Sequence, residues 1–250
     1  MASILPPVRA ALERRYLFNF RMPARVFQRM VPVNWLPPQL IDGQAIISFC
    51  TLQLRNITVA PLPTVVGLSI LSCAYRFAVL DTTQPVATPA VYVPARYTNN
   101  RFGSWFTYQG FSCPHPLIQA TISTQAGTKT LSITHADGAP LFDAVFADTD
   151  TPQSTLFDTA DRFASFIKAG VTSYGNSIRG TQLTRVDLRK TETAFTPLVV
   201  HSWQDQLLSA QDDGEIVLDS AFSTAGGQYQ WTYHGLVAAE QPVRALVPVR

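Results

Sequence analysis

The sequence predicts a β-rich α+β chain, a barrel or sandwich of many strands with a few short peripheral helices. Three observations carry that expectation. Apolar, β-prone runs recur along most of the chain, turn-forming residues separate them, and one clear amphipathic helix pattern interrupts them. The 18 prolines are spread out, as suits many short elements joined by turns.

Taken in order, Val8 to Tyr16 reads as a short helix after Pro6-Pro7. Pro23 to Met30 reads as a second, with proline in its first turn and Pro32 just beyond it. Strands are then expected over Gln44–Leu54, Leu68–Leu80, Ala90–Tyr97, Trp105–Phe111, Leu117–Thr124 and Lys129–His135. Gln125-Ala126-Gly127-Thr128 supplies a hairpin turn, and Asp137-Gly138 another before a strand over Leu141–Phe146. Asp158 is placed to cap a helix over Thr159–Ala169, with Phe163, Phe166 and Ile167 on one face and Gly170 as its stop. Strands over Thr181–Lys190, Ile216–Phe222 and Gln228–Val237 follow, with a short helix at Trp203–Ser209 between the first two. No linker divides the chain, so residues 1–250 are expected to form a single domain.

Charged residues make up 14% of the 250 and hydrophobic ones 46%, the balance of a compact domain with a large core. No apolar run approaches the ~20 residues of a membrane helix, and charges at Arg9, Glu13, Arg14 and Arg15 rule out a signal-peptide pattern. Cys50, Cys73 and Cys113 are odd in number and lack CxxC spacing, so a reducing, cytoplasmic location is expected. The net charge of +2, without a basic run, points to neither nucleic acid nor membrane.

Charge distribution is more informative than the total. Lysine occurs only at Lys129, Lys168 and Lys190, and no glutamate lies between residues 14 and 191. From 45 to 128 the charges are Arg55, Arg76, Arg96 and Arg101 against Asp81 alone. A cationic segment so poor in carboxylates fits a small anionic ligand.

Familiar catalytic signatures fail. Gly110-Phe111-Ser112-Cys113-Pro114 lacks the closing glycine of a nucleophile elbow, and neither a P-loop nor GxGxxG occurs. The four histidines have no metal-ligand spacing. No cofactor and no metal are therefore expected.

Residues 14–32 (RRYLFNFRMPARVFQRMVP) and the stretch from Tyr92 to Leu117, with Tyr92, Tyr97, Asn100 and Pro114, resemble the acetoacetate decarboxylase superfamily. Phe163 to Pro197, with SYGNS and RVDLRKTE, is similar to an uncharacterised bacterial branch of it. The resemblance implies a mixed β-barrel that binds an oxo acid or other carbonyl compound, and a chain that self-associates into a homo-oligomer. It also implies two lysines after the proline, the first forming a Schiff base with a ketone. Here those positions read Pro114-His115-Pro116. The family's acids are replaced as well, one by Cys50, one in the Val65–Gly67 region, and one in Thr107-Tyr108-Gln109.

An imidazole cannot form an iminium, so decarboxylation by that route is not expected. His115 could instead act as a general acid or base, or simply hydrogen-bond within its proline-bounded turn. Cys113, two residues away, could share a face with it as a nucleophile, or be an inert buried thiol. Arg15, Arg76, Arg96 and Arg101 offer fork-shaped donors for a carboxylate or enolate, or pair with acids and carbonyls at the barrel rim. Tyr97, Trp105 and Gln109 complete the expected substrate-binding set. Two functions follow: an enzyme of proton-transfer, lyase or cyclase type, or a non-catalytic binding or structural protein. A pocket lined by Arg15, Arg96 and His115 would favour the first, and one filled by Trp105, Phe106 and Phe111 the second.

Overall fold

Strand pairing dominates the computed structural model, which describes residues 5–31, 33–63, 67–111, 113–191, 194–211 and 214–239. In chain order the elements are β1 (Val8–Pro23), α1 (Ala24–Met30), β2 (Gln44–Val59), β3 (Leu68–Asp81), β4 (Thr88–Val93), β5 (Arg96–Thr98) and α2 (Arg101–Phe111). They continue as β6 (Ile118–Gln125), β7 (Thr128–His135), β8 (Pro140–Asp148), α3 (Ala160–Ala169), β9 (Thr172–Asn176) and β10 (Gln182–Thr191). The last are β11 (Thr196–Asp205), α4 (Gln206–Ser209), β12 (Val217–Ala225) and β13 (Gln228–Ala238).

The sheet closes on itself. Its order runs β13-β10-β9-β4-β3-β2-β1, and β13 also pairs with the start of β1, so seven strands make a ring. Closure satisfies edges that an open sheet would leave exposed. The rest of β1 pairs with β12, and the path continues through β11, β8, β7 and β6. Neighbours are antiparallel except β4 and β9, which run parallel.

The central stretches of β1 and β2 are buried on both faces. Outside the ring, Phe18 and Phe49 pack on Phe142 of β8, with ring centroids 4.9 and 4.1 Å apart, and Tyr75 and Phe77 join the same core. The opposite face, with Arg15, Cys50, Ser72 and Arg76, looks into the ring. α3 packs against that inward face at one end, Phe163 stacking on Phe222 at 4.0 Å beside Leu17, Ile46 and Ala78.

Several elements differ from expectation. Val8–Tyr16 is strand, not helix, because β1 finds partners on both sides along its length, and tertiary pairing overrides the helix propensity of its Ala, Leu, Glu and Arg. Trp105–Phe111 belongs to a helix: Asn100 Oδ1 accepts from Gly103 N at 2.8 Å, an N-cap contact at the start of α2. The run over 90–97 breaks at Pro94-Ala95 into β4 and β5. Thr159 rather than Asp158 caps α3, accepting from Arg162 N. β11 continues through Trp203 to Asp205, leaving only four residues of helix, and the short β9 lies at a segment without strand pattern. The 125–128 turn is a tight hairpin, with positive φ at Ala126 (48°) and Gly127 (83°).

Candidate functional site

A cavity of about 570 Å³ fills the inside of the ring. It is built by alternation. On β3 the inward residues are Leu68, Ile70, Ser72, Ala74 and Arg76, and on β2 they include Cys50, Leu52 and Leu54. Thr184, Val186 and Leu188 of β10 and Trp231 of β13 face them from the other side. β5 contributes Arg96, and α2 lies across the opening with Phe102 and Phe106 toward the cavity. No carboxylate and no lysine is among the described residues that line it.

Two guanidinium groups share this space. Arg96 Nη2 lies 3.4 Å from Ser173 Oγ, while its buried Nε has no hydrogen-bond partner among the described residues. Burial, with the nearby cations Arg15 and Arg96, pulls Arg76 below the usual guanidinium range, and burial lowers Arg96 too. Both remain charged near neutral pH, since arginine starts so high. Arg15 sits one layer back, fully buried, its Nε 3.3 Å from Cys50 Sγ and its Nη1 3.3 Å from Tyr229 Oη.

Cys113 and His115 reach the cavity together. Their side chains approach to 3.7 Å, Sγ to Nε2. The segment is pinned at its backbone: Ser104 Oγ donates to the His115 carbonyl at 2.7 Å and Thr98 N to the Pro116 carbonyl at 3.1 Å. Burial, helped by the Arg96 charge, pushes His115 down to about 3, so its ring is neutral. Burial raises the Cys113 thiol, although Arg96 and Thr184 pull the other way. A neutral imidazole beside a protonated thiol is not an activated nucleophile pair in the ligand-free protein.

The remaining expected residues lie elsewhere, for reasons of geometry. Tyr97 is fully buried on the outward face of the sheet, its ring 5.6 Å from that of His135, because alternation on β5 turns it away from Arg96. Arg101, Trp105 and Gln109 are exposed on α2 and are not among the residues that line the cavity. Leu188, Trp231 and Thr184 were not expected at the site. Their inward alternation is readable in 182–191 and 228–238, but only ring closure brings those strands to β2 and β3.

The three lysines are all distant from the cavity in role. Lys129 pairs with Asp148 at 2.7 Å, Lys190 Nζ donates to the Ile167 carbonyl at 3.3 Å, and Lys168 is exposed on α3. Among the described residues no group of three His, Cys, Asp or Glu is arranged to hold a metal ion, and no helix is long and apolar enough to cross a membrane.

A closed ring of strands around a polar-ended cavity, flanked by a second stretch of sheet, defines this chain as having the acetoacetate decarboxylase-like fold. Solved structures share this fold. Acetoacetate decarboxylase from Legionella pneumophila matches with a TM-score of 0.64 at 13% identity, over 96% of this chain and 90% of that one. An acetoacetate decarboxylase-like enzyme from Sphingomonas wittichii RW1 matches at 0.61 and 12% identity, over 96% and 94%. The enduracididine biosynthesis enzyme MppR, complexed with the condensation product of pyruvate and imidazole 4-carboxaldehyde, matches at 0.58 and 12%, over 93% and 88%. No family model matches the chain, and no curated protein does. At these identities the likeness establishes fold, not activity.

Proposed function

We propose that this protein binds a small organic anion of the oxo-acid type inside its ring and acts on it by proton transfer, without a Schiff base. The observation that carries this reading is an open cavity that holds Arg76 and Arg96 with no carboxylate among its described lining residues to neutralise them. Uncompensated cations in a desolvated site are unfavourable unless an anion arrives. Bidentate donation from a guanidinium would hold a carboxylate, or the oxyanion of an enolate as it forms. The imidazole of His115 then stands as the titratable group able to take a proton from the carbon next to the carbonyl. Neutralising Arg96 with an anion removes one of the two effects that hold His115 down, which moves its basicity toward the range such a step needs. MppR, with its pyruvate-derived ligand, is consistent with oxo-acid binding in this fold.

Deuterium exchange tests this reading. Pyruvate and 2-oxobutanoate incubated with the protein in D2O should exchange protons at the carbon beside the carbonyl, followed by NMR. His115→Ala should slow that exchange at least ~100-fold, the usual contribution of a general acid or base. A second reading, a carrier without catalysis, is favoured by the depressed basicity of His115 and the raised thiol of Cys113. Binding without exchange would select it.

A further expectation separates both readings from the lysine mechanism. Treatment with acetoacetate or pyruvate and borohydride should leave the protein mass unchanged, because no lysine lines the cavity. A reduced adduct at any lysine would overturn the proposal.

A further inference from the structure

The cavity is polarised along its length. On β3, the inward side chains from Arg76 outward read Ala74, Ser72, Ile70 and Leu68, a cation, then two small residues, then hydrocarbon, over eight residues or about 26 Å of strand. The facing strand repeats the trend, from Cys50 through Leu54 to Ile57, where Leu54 pairs with Ile70 and Ile57 with Leu68. Across the ring, Thr184 lies near the Arg96 end and Leu188, paired with Trp231, at the other. Beyond Arg76 the ring is plugged by α3, where Phe166, Ile167 and Gly170 leave a gap of only about 20 Å³. The other end is open: Leu62, Leu68 and Phe102 line the cavity and are 59%, 38% and 57% exposed.

An oxo acid of three or four carbons would fill little of this space. Cavities of roughly 300–1,000 Å³ suit ligands of much larger size. Hydrocarbon walls leading from a cationic end to an exposed apolar mouth need a ligand with the same polarity along its length. We infer that the cavity takes a carboxylate with an extended, unbranched apolar tail, its head between Arg76 and Arg96 and its tail running past Ile70, Leu54, Leu188 and Trp231 toward the mouth. This inference rests on the anion-site reading above and adds to it the class and orientation of the ligand. Head-first entry follows from the closed end, since the charged group must reach the arginines ahead of the tail. Reversed, the ligand would set its anion against leucines and leave both guanidinium groups uncompensated.

A chain-length series tests the inference. Straight-chain carboxylates from butanoate to dodecanoate, and the alcohols of equal length, are titrated into the full-length protein by calorimetry at fixed ionic strength. Affinity should rise about fourfold per methylene until the chain reaches the mouth, and each acid should bind at least tenfold more tightly than its alcohol. Long acids should also shift tryptophan emission through Trp231, and Trp231→Phe should remove that shift. Ile70→Trp, which fills the tail end, should weaken decanoate at least tenfold; should that variant not fold, the wild-type series decides alone. Equal binding of butanoate and decanoate would overturn the tail while leaving the anion site intact. Failure of every carboxylate to bind would overturn both. Alcohols binding as tightly as acids, with the same slope, would overturn the assigned head group.

Discussion

Replacing Arg76 and Arg96 by methionine is expected to have opposite effects on binding and stability. Each substitution should weaken carboxylate binding at least ~30-fold, since removing one partner of a desolvated charge pair costs roughly 2–5 kcal/mol. The same substitutions should raise the midpoint of thermal unfolding of the ligand-free protein. The reason lies in the environment: burial and neighbouring cations hold both groups below the usual guanidinium range, and no carboxylate among the described lining residues compensates them. A folded state that lowers a base's affinity for its proton is destabilised by that base while it is charged. Methionine keeps most of the side-chain volume and removes the charge. Arg→Lys at either position should fall between, because an ammonium retains the charge but loses the bidentate fork. Calorimetric titration with decanoate, alongside thermal unfolding of the apo variants, checks both halves. Unchanged affinity in the double variant would sink the anion site. Lowered apo stability would show that these arginines have a structural role which outweighs their repulsion.

That trade-off also explains which parts of the molecule were legible in the sequence. Arg76 is the lone charge in the apolar run Leu68–Leu80, and such a charge must face either a partner or a cavity. Cys113 and His115 could be paired from their spacing of two, and they do approach one another, although through a pinned loop rather than a strand. Trp105 and Gln109 lie outside the cavity lining: their aromatic-rich segment forms the helix α2 rather than the expected strand, and both are exposed on it. β1 departs from the helix expected over Val8–Tyr16 for a different reason. Most of its central residues are buried on both faces, so apolar side chains fall on neither a clean period of two nor one of 3.6. The apolar half of the cavity was invisible locally, since Leu188 and Trp231 reach it only through the pairing of β13 with β10 and β1. Ring closure is a long-range event, and no local window of sequence encodes it.

Asp205→Asn is expected to stabilise the protein at alkaline pH and to lose that advantage on acidification. Asp205 ends β11 and caps α4, its Oδ1 accepting from Leu208 N at 2.8 Å and from Tyr75 Oη at 3.0 Å. Oδ2 is buried and has no partner among the described residues, and Tyr97 Oη nearby is in the same position. Burial in the outer core pushes the carboxyl up to about 6, against the pull of the Leu208 and Tyr75 hydrogen bonds. Because the folded value lies above the unfolded one, the native state binds this proton more tightly. The resulting stabilisation is complete below about pH 4 and is lost as pH rises through about 6. Above pH 7 the wild-type protein therefore carries a buried carboxylate at a cost of up to about 3 kcal/mol, the equivalent of a two-unit shift. Asparagine keeps the Oδ1 acceptor for both donors and never ionises, so urea denaturation should find it more stable than wild type at pH 8. The difference should shrink toward zero by pH 4. Asp205→Ala serves as the contrast: it removes the cap and strands the Tyr75 hydroxyl but, like asparagine, never ionises, so it should be about 1–3 kcal/mol less stable than the asparagine variant at every pH. An asparagine variant less stable than wild type at pH 8 would mean that the carboxylate is compensated there, with Oδ2 satisfied by a buried water shared with Tyr97.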